Sequence, residues 1–194
     1  MSTGRPRQFD TDKAMSQATL QFWHGGYAAT SLQDLLNCMH LSKSSLYQSF
    51  GNKEQLFVRC LEHYQQQLGE DLTKQLQQTG SGLGFIRDLL ASVTAEASSA
   101  QRKGCLLVNT ANETACRQPA IAQAVNRGFG TIRSVITQAL IRAREQGELA
   151  VDSDVEQLSD FLVSGISGLR TMVKAGMDKE KLDKVAAMLL ATLK

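Results

Sequence analysis

Residues 30–53 read TSLQDLLNCMHLSKSSLYQSFGNK, and they decide the fold. Thr30-Ser31-Leu32-Gln33 has the form of a capping box, a hydroxyl followed three residues later by an amide, so a short helix is expected from there to about Met39. His40-Leu41 makes a tight turn, and Ser42 is a good N-cap for a second short helix, Lys43 to Ser49. Gly51-Asn52 breaks the chain again, and Asn52 can cap whatever follows. Within the second helix Leu46 and Phe50 share a face at i, i+4, which turns Lys43, Ser44, Ser45, Tyr47 and Gln48 outward. Two short capped helices joined by a turn of about three residues make a helix-turn-helix unit. Small hydroxyls and an amide can approach base edges closely, and glutamine can bond an adenine edge in two places. Lys43 and Lys53 sit at helix starts, where free backbone N–H groups also favour phosphate oxygens. Pattern alone leaves a second reading open, a helical hairpin with a polar outer face.

On the N-terminal side, Asp10 can cap a helix in which Met15, Ala18 and Phe22 recur at helical spacing, with Ala14 beside them, until Gly25-Gly26 stops it. Residues 1–9 are polar, carry Arg5-Pro6-Arg7 and read as a flexible arm. On the C-terminal side a long helix follows Asn52, with Phe57, Leu61, Tyr64, Leu68 and Leu72 along one side, fading at Thr79–Gly82. Longer helices are expected beyond it: Leu83 to about Gln101, Cys105 to about Ala115, and Pro119 to Gln146, closed by Gly147. Ser153-Asp154-Val155-Glu156 reads as another capping box, opening a helix to about Ala175. Asp178 caps the last helix, with Leu182, Val185, Leu189 and Leu193 on one face. The fold class is therefore all-α: a helix-turn-helix domain, residues 1–58, and a larger helical domain, residues 59–194, sharing the long helix between them.

Composition agrees. Of 194 residues 42% are hydrophobic, enough for a real core, and only two are proline. The net charge of +2 is too small to imply nucleic acid by itself, so that case rests on where the charges sit. Cys38, Cys60, Cys105 and Cys116 form no CxxC pair, and the three histidines are scattered, so no metal site, cofactor or catalytic set is expected. No signal peptide and no apolar run of the ~20 residues a membrane span needs are visible, which reads as a cytoplasmic protein with reduced thiols.

The stretches 22–31 (FWHGGYAATS), 41–50 (LSKSSLYQSF) and 52–57 (NKEQLF) resemble the TetR/AcrR family of bacterial transcriptional regulators, the likeness running from Phe9 to Tyr64. That resemblance implies an all-helical homodimer bound to double-stranded, palindromic operator DNA. Carried over by position, Thr30 and Ser31 touch phosphate at the start of the second helix. Lys43, Ser44, Ser45, Tyr47 and Gln48 meet bases or phosphates, Lys53 holds a phosphate, and Arg5 and Arg7 lie in the adjacent minor groove. The sequence departs from the family in the turn, Cys38-Met39-His40-Leu41, where His40 stands in place of a left-handed glycine, a conformation histidine tolerates at some cost.

Beyond residue 70 the likeness is weaker. Cys105, Asn109 and Asn112 fall at i, i+4, i+7, and a polar stripe facing a cavity could bind a small-molecule effector; a solvated face or a satisfied amide network is the other reading. Cys105 admits two readings: a thiol at a helix start, near Arg102 and Lys103, that senses electrophiles, or a small residue packed against a neighbour. Cys38, Cys60 and Cys116 read as structural. Phe85, Phe129, Phe161 and Met172 are spaced as core residues, Phe129 and Phe161 also as cavity candidates. Small residues Gly165, Ser167 and Gly168 permit close helix approach, and the resemblance implies dimerisation through the last two helices. The function so implied is a repressor released from its operator by a small molecule or a reactive electrophile. The competing classes are a helical adaptor that has lost DNA binding and an enzyme using the C-terminal cavity.

Overall fold

A computed structural model describes residues 10–114 and 117–193. Among these residues there are nine α-helices and no strand: α1 (Thr11–Gly25), α2 (Leu32–Met39), α3 (Lys43–Phe50), α4 (Lys53–Gln78), α5 (Gly82–Ala95), α6 (Leu106–Glu113), α7 (Pro119–Glu145), α8 (Val155–Lys174) and α9 (Lys179–Ala191). A 3-10 turn, Glu96–Ser98, follows α5.

Local signals start and stop most of these helices. Asp10 accepts from the N–H groups of Asp12 and Lys13, and Asn52 exchanges bonds with Gln55, both at 2.9 Å, in a reciprocal capping box. Two expected boxes differ. The box of α2 is Ser31 with Asp34, one position later than Thr30 with Gln33, because the Thr30 hydroxyl is buried and donates to the Gly26 carbonyl at 2.6 Å. At α8 the cap is Asp154, which accepts from Gln157 at 3.0 Å. The helix expected to reach Gln101 ends at Ala95 and tightens into the 3-10 turn, and α6 begins at Leu106 with Cys105 as its extended N-cap.

The helices gather around two apolar cores. The first takes Ala14, Ala18 and Phe22 from α1, Leu35 and Met39 from α2, Leu46 and Phe50 from α3, and Leu56, Phe57 and Leu61 from the first half of α4. It also takes Leu106, Leu107 and Val108 of α6 and Ile121, Ala124 and Val125 of α7, more than forty residues downstream. The second core joins Leu72 and Leu76 of α4 to α5, the later part of α7, α8 and α9. One continuous α4 thus serves both cores, as the sequence suggested, but the N-terminal helices are not a self-contained unit: α6 and the start of α7 close them from below.

Three expected core assignments are corrected. Phe161 and Met172 lie on the outer face of α8, 41% and 42% exposed, and Val185 lies outward on α9 at 43%. The buried line of α9 is instead Leu182, Ala186 and Leu189, continued by Leu193. Helical spacing is the same for a residue packed inside the chain and one turned outward, so periodicity could not separate them.

Candidate nucleic-acid interface and internal cavity

The α2–α3 pair is built as a rigid bracket. His40 adopts the left-handed conformation (φ 54°), the only non-glycine residue with positive φ among those described. It does so in a Schellman close of α2: the His40 N–H donates to the Asn37 carbonyl at 3.3 Å and the Leu41 N–H to the Leu36 carbonyl at 3.1 Å. Leu36 and Leu41 then pack against the first core, which offsets the strain at His40. Ser42 caps α3 by accepting from the Ser45 N–H at 3.2 Å, and its hydroxyl also lies 2.9 Å from that of Ser44 and 2.8 Å from that of Ser45.

On α3 the buried Leu46 and Phe50 anchor one face, leaving Lys43, Ser44, Tyr47 and Gln48 exposed on the other and Ser45 half-buried between them. The end of α3 is held from α4: the Arg59 guanidinium donates to the Ser49 carbonyl at 2.7 Å and lies 5.1 Å from the Phe50 ring centre. A cation there complements the negative end of the helix dipole. Arg59 was not singled out in the sequence, since nothing local ties it to a helix ten residues earlier.

Lys53, at the start of α4, bends back over the α1–α2 turn. Its ammonium lies 4.6 Å from the Tyr27 ring centre and 3.4 Å from the Ala28 carbonyl. Burial lowers its pKa, while the charge of Glu113 acts in the opposite sense. Ser31 is exposed and engages Asp34, whose pKa is lowered by those hydrogen bonds. Thr30 departs from expectation: with its side chain 2% exposed and its hydroxyl used inside the turn, it shapes the bracket and presents no hydroxyl to a phosphate. Arg5 and Arg7 lie outside the described residues, as does Cys116.

Where the two cores meet, a cavity of ≈160 Å³ lies between α4, α5, α6, α7 and α8. Its wall combines apolar residues, among them Phe129 and Ile132 from α7 and Ile166 from α8, with Asp71, Gln75, Ser92 and Ser167 and a polar group formed by Tyr64, Cys105 and Arg170. The Tyr64 hydroxyl is 3.6 Å from the Cys105 sulfur, and burial raises the tyrosine pKa, the neighbouring Cys105 adding to it. Arg170 is paired with Glu96, which also accepts the Gly104 N–H at 2.8 Å.

Among the effector candidates, Cys105 and Phe129 do line this cavity. Asn109 and Asn112 do not. They line a separate open cleft of ≈510 Å³ between the end of α1, α6 and α8, where Asn109 donates to the Lys103 carbonyl at 2.9 Å. The expected shared face fails because Cys105 is an extended N-cap residue (ψ 130°), outside the helical repeat. Phe161 is on neither wall. Of the cations expected beside Cys105, Lys103 lies over Trp23, 5.6 Å from its ring centre. Cys60 is buried beside the Met15 sulfur at 3.6 Å, and burial pushes its thiol up to about 12; the half-buried Cys38 donates to the Leu35 carbonyl.

Comparison with known proteins decides the family. Residues 15–60 match the model of bacterial regulatory proteins of the tetR family, and residues 82–189 match the C-terminal domain described as tetracyclin repressor-like. The chain belongs to the TetR family. It is a DNA-binding transcriptional regulator. Relatives of similar length include the HTH-type transcriptional regulator YezE of Bacillus subtilis, 30% identical over 98% of this chain and 99% of its own. The HTH-type transcriptional repressor ComR of Escherichia coli is 30% identical over 97% and 91%. Among solved structures, a cysteine mutant of the TetR-family regulator CifR, complexed with a 26 bp double-strand operator DNA, superposes with a TM-score of 0.86 at 31% identity, covering 98% of this chain and all of that one.

For a TetR-family chain the bracket of α2 and α3 is therefore the surface of interest. The residues that sequence reasoning missed are those supplied from elsewhere: Arg59, Tyr64, Glu96 and Arg170, together with Glu113 of α6. Among the described residues no group of three His, Cys, Asp or Glu side chains could hold a metal ion, and no helix is long and apolar enough to cross a membrane.

Proposed function

We propose that this regulator is a cytoplasmic, homodimeric repressor that reads a palindromic operator through α3 and lets go when a small molecule enters the α4–α8 cavity. One observation carries the reading: α3 buries Leu46 and Phe50 and leaves Lys43, Ser44, Tyr47 and Gln48 exposed on the opposite face. Serine and glutamine there suit base edges, while Lys43 and the N–H groups at the capped helix starts suit phosphates. Ser31 and Lys53 flank that face, and the arm with Arg5 and Arg7 would add minor-groove contacts. Support for the dimer comes from α8 and α9, whose outer faces expose Phe161, Met172, Val185 and Met188. A two-fold pair would set two copies of α3 about 34–36 Å apart, one turn of DNA, and an effector acts by preferring a different spacing.

Selection of bound sequences from random DNA tests this. A palindromic site is expected, with affinity falling steeply with salt at a log–log slope of about −0.9 per phosphate neutralised. Gln48→Ala should relax the preference at one base pair of each half-site, by about 1–3 kcal/mol, and leave the salt slope unchanged. Absence of a selected site, with no salt dependence on any DNA, would return the protein to the class of adaptors.

The cavity favours a small, mostly apolar effector. Cys105 on its wall supports the more specific reading of a reactive electrophile, in which the sulfur forms a bond to the electrophilic carbon and gives up its proton. Treatment with an alkylating agent is expected to abolish operator binding by the wild type and to spare Cys105→Ser. Equal loss in both proteins would remove Cys105 as the sensor and leave it as packing.

A further inference from the structure

We propose that Glu113 is a positioning residue for operator binding: its carboxylate, carried at the end of α6, holds the α1–α2 turn in the shape that seats α2 and α3. The inference rests on the reading of this protein as an operator binder.

The turn that follows α1 opens at Gly26, whose backbone is left-handed in φ (78°), and its next two N–H groups have no helical partner. Both are taken by one side chain. The Tyr27 N–H donates to one Glu113 carboxylate oxygen at 3.0 Å and the Ala28 N–H to the other at 2.7 Å, across more than eighty residues of sequence. Hydrogen bonds to an ionised acceptor are shorter and stronger than neutral ones, and a two-oxygen grip also fixes orientation. The turn's carbonyls are held separately, Gly26 by the Thr30 hydroxyl at 2.6 Å and Ala28 by the Lys53 ammonium at 3.4 Å. Its N–H groups thus face α6 and its carbonyls face α2 and α4, and α2 starts soon afterwards at Leu32, capped by Ser31. Glycine at 26 leaves room for this grip, since a Cβ there would stand 2.9 Å from a Glu113 oxygen.

The sign of Glu113's charge separates this role from a general electrostatic one. A carboxylate beside a phosphate-binding surface opposes DNA, so charge alone makes its removal favourable. A residue that earns its place by geometry must, when removed, weaken binding despite that gain. Because Glu113 is itself exposed, truncating it leaves no cavity.

The experiment compares wild type, Glu113→Ala, Glu113→Gln and, as a charge control, Asp88→Ala on the exposed side of α5. Operator affinity is measured by fluorescence anisotropy at fixed salt, and backbone exchange at Tyr27 and Ala28 by hydrogen–deuterium exchange. Glu113→Ala is expected to bind roughly ten-fold more weakly, the scale of one lost hydrogen bond to a charged group, with both amides exchanging faster. Glu113→Gln, which keeps one oxygen acceptor without the charge, should fall between, and Asp88→Ala should match the wild type. Binding by Glu113→Ala as tight as, or tighter than, the wild type overturns the proposal whatever the exchange data give. Unchanged exchange at both amides overturns it equally. A wild type that binds no selected DNA would instead sink the operator reading itself, which is a distinct result.

Discussion

For the homodimer proposed above, Phe161→Glu combined with Met188→Glu is expected to give a folded monomer whose operator affinity is at least about 100-fold below that of the wild type, because two linked half-site contacts would become one. On α8, Phe161, Gly165, Gly168 and Met172 follow one another at i, i+4, i+7 and i+11, so they form a single stripe, with Phe161 and Met172 exposed. Val185 and Met188, 43% and 71% exposed, continue the patch onto α9. A Cβ added at Gly168 would meet nothing in this chain, so the space over that glycine is open to a second copy. Contiguous apolar surface of this kind suits the proposed interface, since a two-fold dimer needs one patch that matches itself. Placing two carboxylates in it costs the dimer their burial without a partner. Val151, 84% exposed in the α7–α8 connection, supplies the control: Val151→Glu should change neither mass nor affinity, because an isolated exposed apolar residue marks no interface. Sedimentation and anisotropy read both quantities; a double variant that stays dimeric would move the interface elsewhere.

The second large effect is on folding. Gly82→Ala is expected to destabilise the protein by about 3 kcal/mol, the upper range for overpacking, while Gly80→Ala is neutral or slightly stabilising. The two glycines are neighbours in a segment that looked like a loop, yet their surroundings differ. A Cβ on Gly82 would stand 2.3 Å from the Ala139 carbonyl oxygen and 2.5 Å from the Ala143 nitrogen, backbone atoms of α7 that cannot swing aside. At Gly80 the same atom meets nothing within 4 Å. Gly82 opens α5 where it crosses α7, and the end of that helix and its loop cap it: the Gly82 N–H donates to the Gln146 side chain and the Leu83 N–H to Glu148, both at 3.0 Å. Hydrogen bonds from Ser81 and that N–H hold the Glu148 carboxyl below its usual range, as suits an anion at a helix N-terminus. Pushing α5 off α7 would loosen all of this together. Thermal unfolding at matched protein concentration checks the pair, with a fall of roughly 10 °C for Gly82→Ala, at the 2–4 °C per kcal/mol typical of this chain length. Equal melting of the two variants would mean the crossing is looser than described.

Legibility in the sequence followed the range of each interaction. The caps at Asp10, Ser42, Asn52 and Asp178 were legible because each is completed within three residues. The outward set of α3 was legible for the same reason, Leu46 and Phe50 being one turn apart. His40 in the left-handed position was readable only from the resemblance, in which a glycine stands at that place in the turn. The cap of α2 was misplaced by one residue because Thr30 and Ser31 are both good caps, and the choice falls to Gly26, which takes the Thr30 hydroxyl. The apolar spacing of α8 placed Phe161 and Met172 in the core, and the structure turns both outward, because helical spacing is the same on either face.

By itself the sequence determined an all-helical chain, most of its helix starts and the bracket of α2 and α3, since these rest on contacts between residues a turn apart, and its motifs carried the resemblance to the family. Tertiary structure alone decided that α6 and the start of α7 complete the first core, that Cys105 and not Asn109 faces the cavity, and that Glu113 reaches the α1–α2 turn. Those outcomes depend on which helices meet, and a hydrogen bond spanning more than eighty residues leaves no periodic trace in either partner's neighbourhood.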